Sequence, residues 1–161
     1  MKKIMIAISL TLLLTQLAYA DLEVAFISES SLPYEYSPAN YSNSNANYSN
    51  SIANYSNSSA NYNNSTANYS NSSAKNSSNG SNRLLVAKGS SYYDVGYYVK
   101  NSDGLTNFFS RKGERIFYNP VKGFGIFDSQ NGTFNGVLAL VGNEFKVVLT
   151  ESGQKTLLMS Q

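Results

Sequence analysis

The groups available for chemistry in this chain are carboxylates, lysines, tyrosines, serines and threonines; cysteine and histidine are both absent. That absence removes Cys–His and Ser–His–Asp nucleophiles, thiolate and imidazole metal sites and the histidine proton switch. It also removes disulfides, so any core must hold by packing alone. Six carboxylates remain in the second half: Asp94, Asp103, Glu114, Asp128, Glu144 and Glu151. A facing pair of carboxylates can hydrolyse a glycosidic bond, but no spacing here pairs two of them. Asp103 and Asp128 fall in turn sequences, where hydrogen bonding to their own backbone accounts for them. The run Asp128-Ser129-Gln130-Asn131-Gly132 has the flavour of a calcium loop but lacks the alternating ligands and the closing glutamate. The sequence thus offers no catalytic, metal-binding or cofactor-binding set, and it predicts a protein that is not an enzyme and carries no cofactor.

Tyrosine is the more informative residue, with 13 in the chain. Tyr92-Tyr93 and Tyr97-Tyr98 put aromatics on both faces of one expected strand. One face is expected to pack in the core. The other is a candidate ligand-binding face, since exposed tyrosine makes contacts at little entropic cost. Arg111, Lys112 and Arg115 cluster around an expected hairpin turn and read as a solvated loop.

The stretch from Phe117 to Phe127, FYNPVKGFGIF, resembles the first nucleic-acid-binding strand of cold-shock domains, in which Lys-Gly-Phe-Gly follows an aromatic and an asparagine. The resemblance implies a five-stranded barrel, with Phe124 and Phe127 as a stacking platform and Lys122 as a phosphate contact. It covers eleven residues, and the family's second motif, with its phenylalanine and histidine, is missing. Read from the residues alone, the stretch is an aromatic strand beside a glycine turn.

These groups must be positioned by strands. From Arg83 onward the chain alternates short apolar runs with turns. Leu84–Ala87, Tyr93–Lys100, Leu105–Ser110, Arg115–Tyr118, Gly123–Phe127, Thr133–Val141, Glu144–Thr150 and Lys155–Met159 read as strands. Asn101–Gly104, Arg111–Glu114, Asn131-Gly132 and Gly142-Asn143 turn between them. The prediction is an all-β fold, a small antiparallel meander closed into a barrel or strongly twisted, over residues 83–161. Leu22–Ile27 is a further strand or part of an extension over 21–38. Most strands are shorter than a membrane barrel needs, so no stable membrane insertion is expected.

Between these parts lies a repeat. Residues 39–45, 46–52, 53–59, 60–66 and 67–73 read ANYSNSN, ANYSNSI, ANYSNSS, ANYNNST and ANYSNSS, followed by a decayed copy, AKNSSNG. Alanine and tyrosine lie two and five apart rather than three and four, which rules out a coiled coil. An odd period sends successive tyrosines to opposite faces of a strand. Seven residues make too short a coil to enclose tyrosine and alanine. The composition predicts that 39–82 is a disordered Asn/Ser/Tyr tether, tolerant of changes in repeat number, with possible self-association through cross-β contacts as the sharper reading.

Lys2 and Lys3, the apolar run that follows and Ala18-Tyr19-Ala20 make a secretory signal over 1–20, cleaved between Ala20 and Asp21. Removing it takes the basic residues from 12 to 12 − 2 = 10, against 10 acidic ones. A neutral chain gives no support for a nucleic-acid partner. The expectation is an exported bacterial protein, periplasmic or secreted to the cell surface, binding an unknown protein or glycan partner without catalysis. A self-assembling matrix component and a periplasmic enzyme inhibitor are the alternatives.

Overall fold

The computed structural model describes residues 20–76 and 82–161, so the predicted signal segment, apart from Ala20, lies outside the described residues. Eight strands form a closed barrel: β1 (Leu22–Phe26), β2 (Arg83–Lys88), β3 (Ser91–Lys100), β4 (Thr106–Ser110), β5 (Arg115–Asn119), β6 (Gly125–Asp128), β7 (Phe134–Val141) and β8 (Glu144–Leu149). From β2 to β8 every neighbour is antiparallel and every turn short, as the meander predicts.

Closure follows from parity. Seven up-and-down strands leave β2 and β8 pointing the same way, and β1 fills the gap parallel to both. Its Val24 sits opposite Val86 on one side and Val147 on the other. A strand parallel to its successor cannot be joined to it by a hairpin; the chain must cross back over the barrel first. The whole repeat tract lies in that crossover, between β1 and β2. The barrel is therefore not confined to 83–161, because β1 completes it.

The lumen draws one or more apolar residues from all eight strands, Leu22, Val24, Leu84, Tyr98, Phe108, Ile116, Phe117, Ile126, Leu138, Val147 and Leu149. Leu157 joins them from the helix that ends the chain. That helix, Glu151–Met159, replaces the last predicted strand. A closed barrel has no edge left for a further strand, and the Lys-Thr-Leu-Leu-Met run does not alternate. Gly153 lets the helix lie against β7: a Cβ there would meet the Asn135 carbonyl oxygen at 2.2 Å.

A second apolar cluster, Tyr36, Leu105, Tyr118, Phe127, Phe134 and Val137, draws its strand residues from β5 to β7 alone. It lies on the outside of the barrel wall. In β4, β5 and β6 every residue is buried, which a strand with one wet face cannot achieve. The repeat tract is what covers them.

Candidate functional site

Over residues 39–76 the tract is a regular coil rather than the disordered tether its composition predicts; the rest of the predicted tether, apart from Asn82, lies outside the described residues. Each heptad is one turn of a coil held by polar side chains, and the seven positions divide the work. At position two, asparagine caps a tight turn: Asn40, Asn47, Asn54, Asn61 and Asn68 each accept the backbone N–H two residues on, at 3.0 Å. At position six, the hydroxyls of Ser44, Ser51, Ser58 and Ser65 accept the N–H of the next alanine at 3.1 Å. At position five, the asparagine is buried and ties one turn to the one before. Asn50 Nδ2 donates to the Ser42 and Ser44 carbonyls at 2.8 and 2.9 Å, and Asn57, Asn64 and Asn71 repeat the pattern. A coil too tight to enclose apolar side chains thus has an amide column as its core, and its backbone carbonyls are satisfied by side chains.

The coil begins before the visible repeat. Asn43 Nδ2 donates to the Glu35 and Ser37 carbonyls at 2.7 and 3.4 Å, the same relative positions. Residues 32–38, LPYEYSP, therefore form an additional turn, with Tyr34 at position three and Tyr36 buried in place of asparagine. At the other end Asn76 bonds to the Ser70 and Ser72 carbonyls. It takes the position-five role two residues early and leads out of the coil through the short helix Ser73–Asn76.

Successive turns each have a donor rising from the barrel wall. Tyr118 Oη donates to the Asn50 carbonyl at 2.7 Å, and Arg115 Nη2 to the Asn57 carbonyl at 2.9 Å. Asn101 and Asn107 donate to Asn64 Oδ1 at 2.8 and 3.2 Å, and Tyr97 Oη donates to the Asn71 carbonyl at 2.7 Å. Burial pushes the Tyr97 hydroxyl up to about 12 and raises Tyr118 further. Burial pushes Arg115 down to about 10, opposed by Tyr118, whose ring centroid lies 5.1 Å from the guanidinium.

With position five inside and positions two and six spent on turns, position three faces water. Tyr34, Tyr41, Tyr48, Tyr55, Tyr62 and Tyr69 are 61–69% exposed, the same place in six consecutive turns. Because the turns are nearly identical, these six rings form one row along the coil. This row is the candidate site. Its signal was present in the sequence as the invariant third position of each heptad.

The predicted tyrosine face divides. Tyr98 points into the lumen and its hydroxyl donates to the Ala20 carbonyl at 2.5 Å, while Tyr97 stacks on Phe109 beneath the coil. Only Tyr92 and Tyr93 are exposed, where the β2–β3 hairpin extends past β4, with Lys88 Nζ 5.6 Å from the Tyr93 ring centroid. The four do not form one surface, because the β3–β4 pairing stops at Gly96. The stacking platform implied by the cold-shock resemblance does not form either: Phe127 is buried against Tyr118 and Phe134, and Phe124 packs edge-on to Tyr36. Of the basic cluster, Arg111 and Lys112 lie in the exposed β4–β5 turn, whereas Arg115 is buried. Asp21, on the far side of the predicted cleavage point, pairs with Arg83 at 2.6 Å, which holds its carboxyl below the usual range. Among the described residues no group of carboxylates is placed to hold a metal ion.

No family model, curated protein or solved structure matches the chain.

Proposed function

We propose that the protein is an exported, non-catalytic binding protein whose working surface is the tyrosine row of the coil, and that its ligand is a repetitive polymer, most simply a glycan chain. The observation that carries this reading is the repetition itself. Six rings stand exposed at one position of six turns, while the hydrogen bonds that hold the turns come from asparagine and serine side chains. Each ring offers a flat apolar face and a hydroxyl, the pairing that suits a sugar. A row of equivalent weak contacts gains affinity only from a ligand that repeats as well. The coil, strapped to a rigid barrel, holds the row preformed, which lowers the ordering cost of binding. The tract is in this reading the binding element and the barrel its support, the reverse of a β-domain head on a flexible spacer.

The experiment is retention on a panel of insoluble polysaccharides and cell-wall preparations, comparing the protein with Tyr48→Ser, Tyr48→Ser/Tyr55→Ser and the triple variant that adds Tyr62→Ser. Graded loss of retention on one polymer, with unchanged thermal stability, is expected. Equal retention of all four proteins sinks the proposal. Concentration-dependent sedimentation that the triple variant abolishes, without any polymer, transfers the row to self-assembly.

A further inference from the structure

The row of rings is not alone on the coil. Beside it, at position four, runs a row of hydroxyls: Ser42, Ser49, Ser56 and Ser70 are exposed, and Asn63 stands for serine in the fourth heptad. Position one is alanine in all five heptads and is exposed as well, so no bulky side chain stands there. The tyrosines do not spend their faces on one another. The ring contacts among the described residues join barrel aromatics and Tyr36, and none includes Tyr34, Tyr41, Tyr48, Tyr55, Tyr62 or Tyr69. Each ring therefore keeps an apolar face for a ligand, with hydroxyls next to it.

This surface carries almost no charge. From Tyr36 to Ala74 the chain holds no aspartate, glutamate, lysine or arginine, and Glu35 and Lys75 bracket that stretch with opposite signs. Arg115 meets the coil from beneath and is buried. Glu114, Asp128 and Lys155 share a cleft with positions five to seven of the coil, at Ser59, Asn64, Ser65 and Thr66. Position four meets a charge twice among the described residues, Asn63 with Asp103 at 3.2 Å and Ser70 with Lys75 at 3.5 Å, again of opposite sign. A polyanion gains its affinity from several lysines or arginines that neutralise it and release its counterions. The row has no such series, nor a series of carboxylates for a polycation.

We infer that the row takes an uncharged, extended glycan, a β-linked chain whose sugar units lie flat in a ribbon, and turns away acidic and coiled polysaccharides. The inference rests on the tyrosine row as the binding surface and adds its selectivity. Near-identical turns put successive rings in one line, so consecutive units of the ligand must each present a face along that line. A chain of equatorial linkages does so, each unit offering C–H groups to a ring and hydroxyls at its edges. A chain that winds into a helix turns successive units away, and only a short stretch meets the row. A uronate chain brings one negative charge per unit to a surface with no matching cation, which leaves its desolvation uncompensated. Neutral stacking and hydrogen bonds release no counterions, so the affinity is nearly independent of salt.

The test is affinity electrophoresis of the protein in gels holding soluble glucomannan, amylose or polygalacturonate, at low and at high salt. Glucomannan is expected to retard the protein equally at both salts. Amylose binds about tenfold more weakly, because few of the six rings are engaged at once, and polygalacturonate gives no shift. Tyr48→Ser/Tyr55→Ser removes most of the glucomannan shift. Ala46→Lys/Ala53→Lys supplies two cations beside the row without touching a ring, and gains a shift with polygalacturonate that high salt abolishes. Polygalacturonate or amylose retarding the unaltered protein as strongly as glucomannan, with the shift still lost in the tyrosine variant, overturns the selectivity and keeps the row. A glucomannan shift weakened severalfold by salt does the same, and so does a lysine variant that ignores polygalacturonate. A glucomannan shift indifferent to the tyrosine changes, or no shift in any gel, sinks the row as a glycan surface and this inference with it.

Discussion

The hydroxyl of Tyr118, on the outer face of β5, donates to the carbonyl of Asn50 at 2.7 Å, across 68 residues of sequence. The phenol ring below it stacks on Phe127 with centroids 5.6 Å apart. One side chain thus belongs to the apolar layer over the barrel and to the polar column of the coil. Tyr118→Phe keeps the stack and strands a buried carbonyl. The expected cost is about 1–2 kcal/mol, read from urea unfolding, with faster hydrogen exchange confined to the turn around Asn50.

Asn64 makes four hydrogen bonds, two through Nδ2 to the Ser56 and Ser58 carbonyls and two through Oδ1 from Asn101 and Asn107. Asn64→Ala removes all four and leaves the buried Asn107 amide one acceptor short. A loss of about 2–4 kcal/mol is expected, larger than for Asn50→Ala. Comparable unfolding midpoints for the two variants would show that the barrel contacts of Asn64 add nothing.

Deleting residues 53–59 tests the crossover directly. A tether would lose seven residues at almost no thermodynamic cost. A coil whose turns each meet a fixed donor instead loses the match between Asn57 and Arg115 and offsets every turn on one side. The deletion is expected to lower the melting temperature by well over 5 °C, whereas unchanged melting would return the repeat to the role of a spacer.

Alkaline stability follows from the raised tyrosines. The folded state holds the Tyr97 proton to about 12, against an ordinary value of 10.0. It therefore binds more protons than the unfolded chain in that interval, and stability falls as pH rises from 10 towards 12. Tyr118 contributes with the same sign. Arg115, pushed down to about 10, contributes with the opposite sign. The two tyrosines outweigh it, and Tyr97→Phe should flatten the fall, measured by urea midpoints across this range.

At the acid end, Asp21 is held below its ordinary value of 3.8 chiefly by hydrogen bonds from the Arg83 side chain. A lowered carboxyl contributes stability that is present above the unfolded value and is lost as pH falls through the folded one, so the loss lies below 3.8. The pair is partly exposed, so solvent screening keeps its contribution small. Arg83→Gln should remove that step from the acid-unfolding profile with little change in stability at neutral pH.

The barrel was legible in the sequence because strands carry their own punctuation. Apolar runs from Leu84 to Leu149, separated by Gly, Asn and Asp turns, dictate a meander whatever surrounds them. Leu22–Ile27 reads from sequence as either a strand or part of an extension, and only parity makes it the closing strand. The recurrence of a tyrosine every seven residues was visible as well, but a strand with an odd period sends successive rings to opposite faces, so the row itself was not legible. What the sequence could not show is that the asparagines between them are buried. Tests of periodicity look for apolar residues, and this coil is held by amide-to-carbonyl bonds between turns, which leave no apolar pattern. The coil is held in place by Tyr97, Asn107, Arg115 and Tyr118, and strand alternation cannot say whether an outward side chain meets water or another segment. Only the closed barrel, which turns these four to one wall and requires the chain to cross it between β1 and β2, decides that the repeat is a strap.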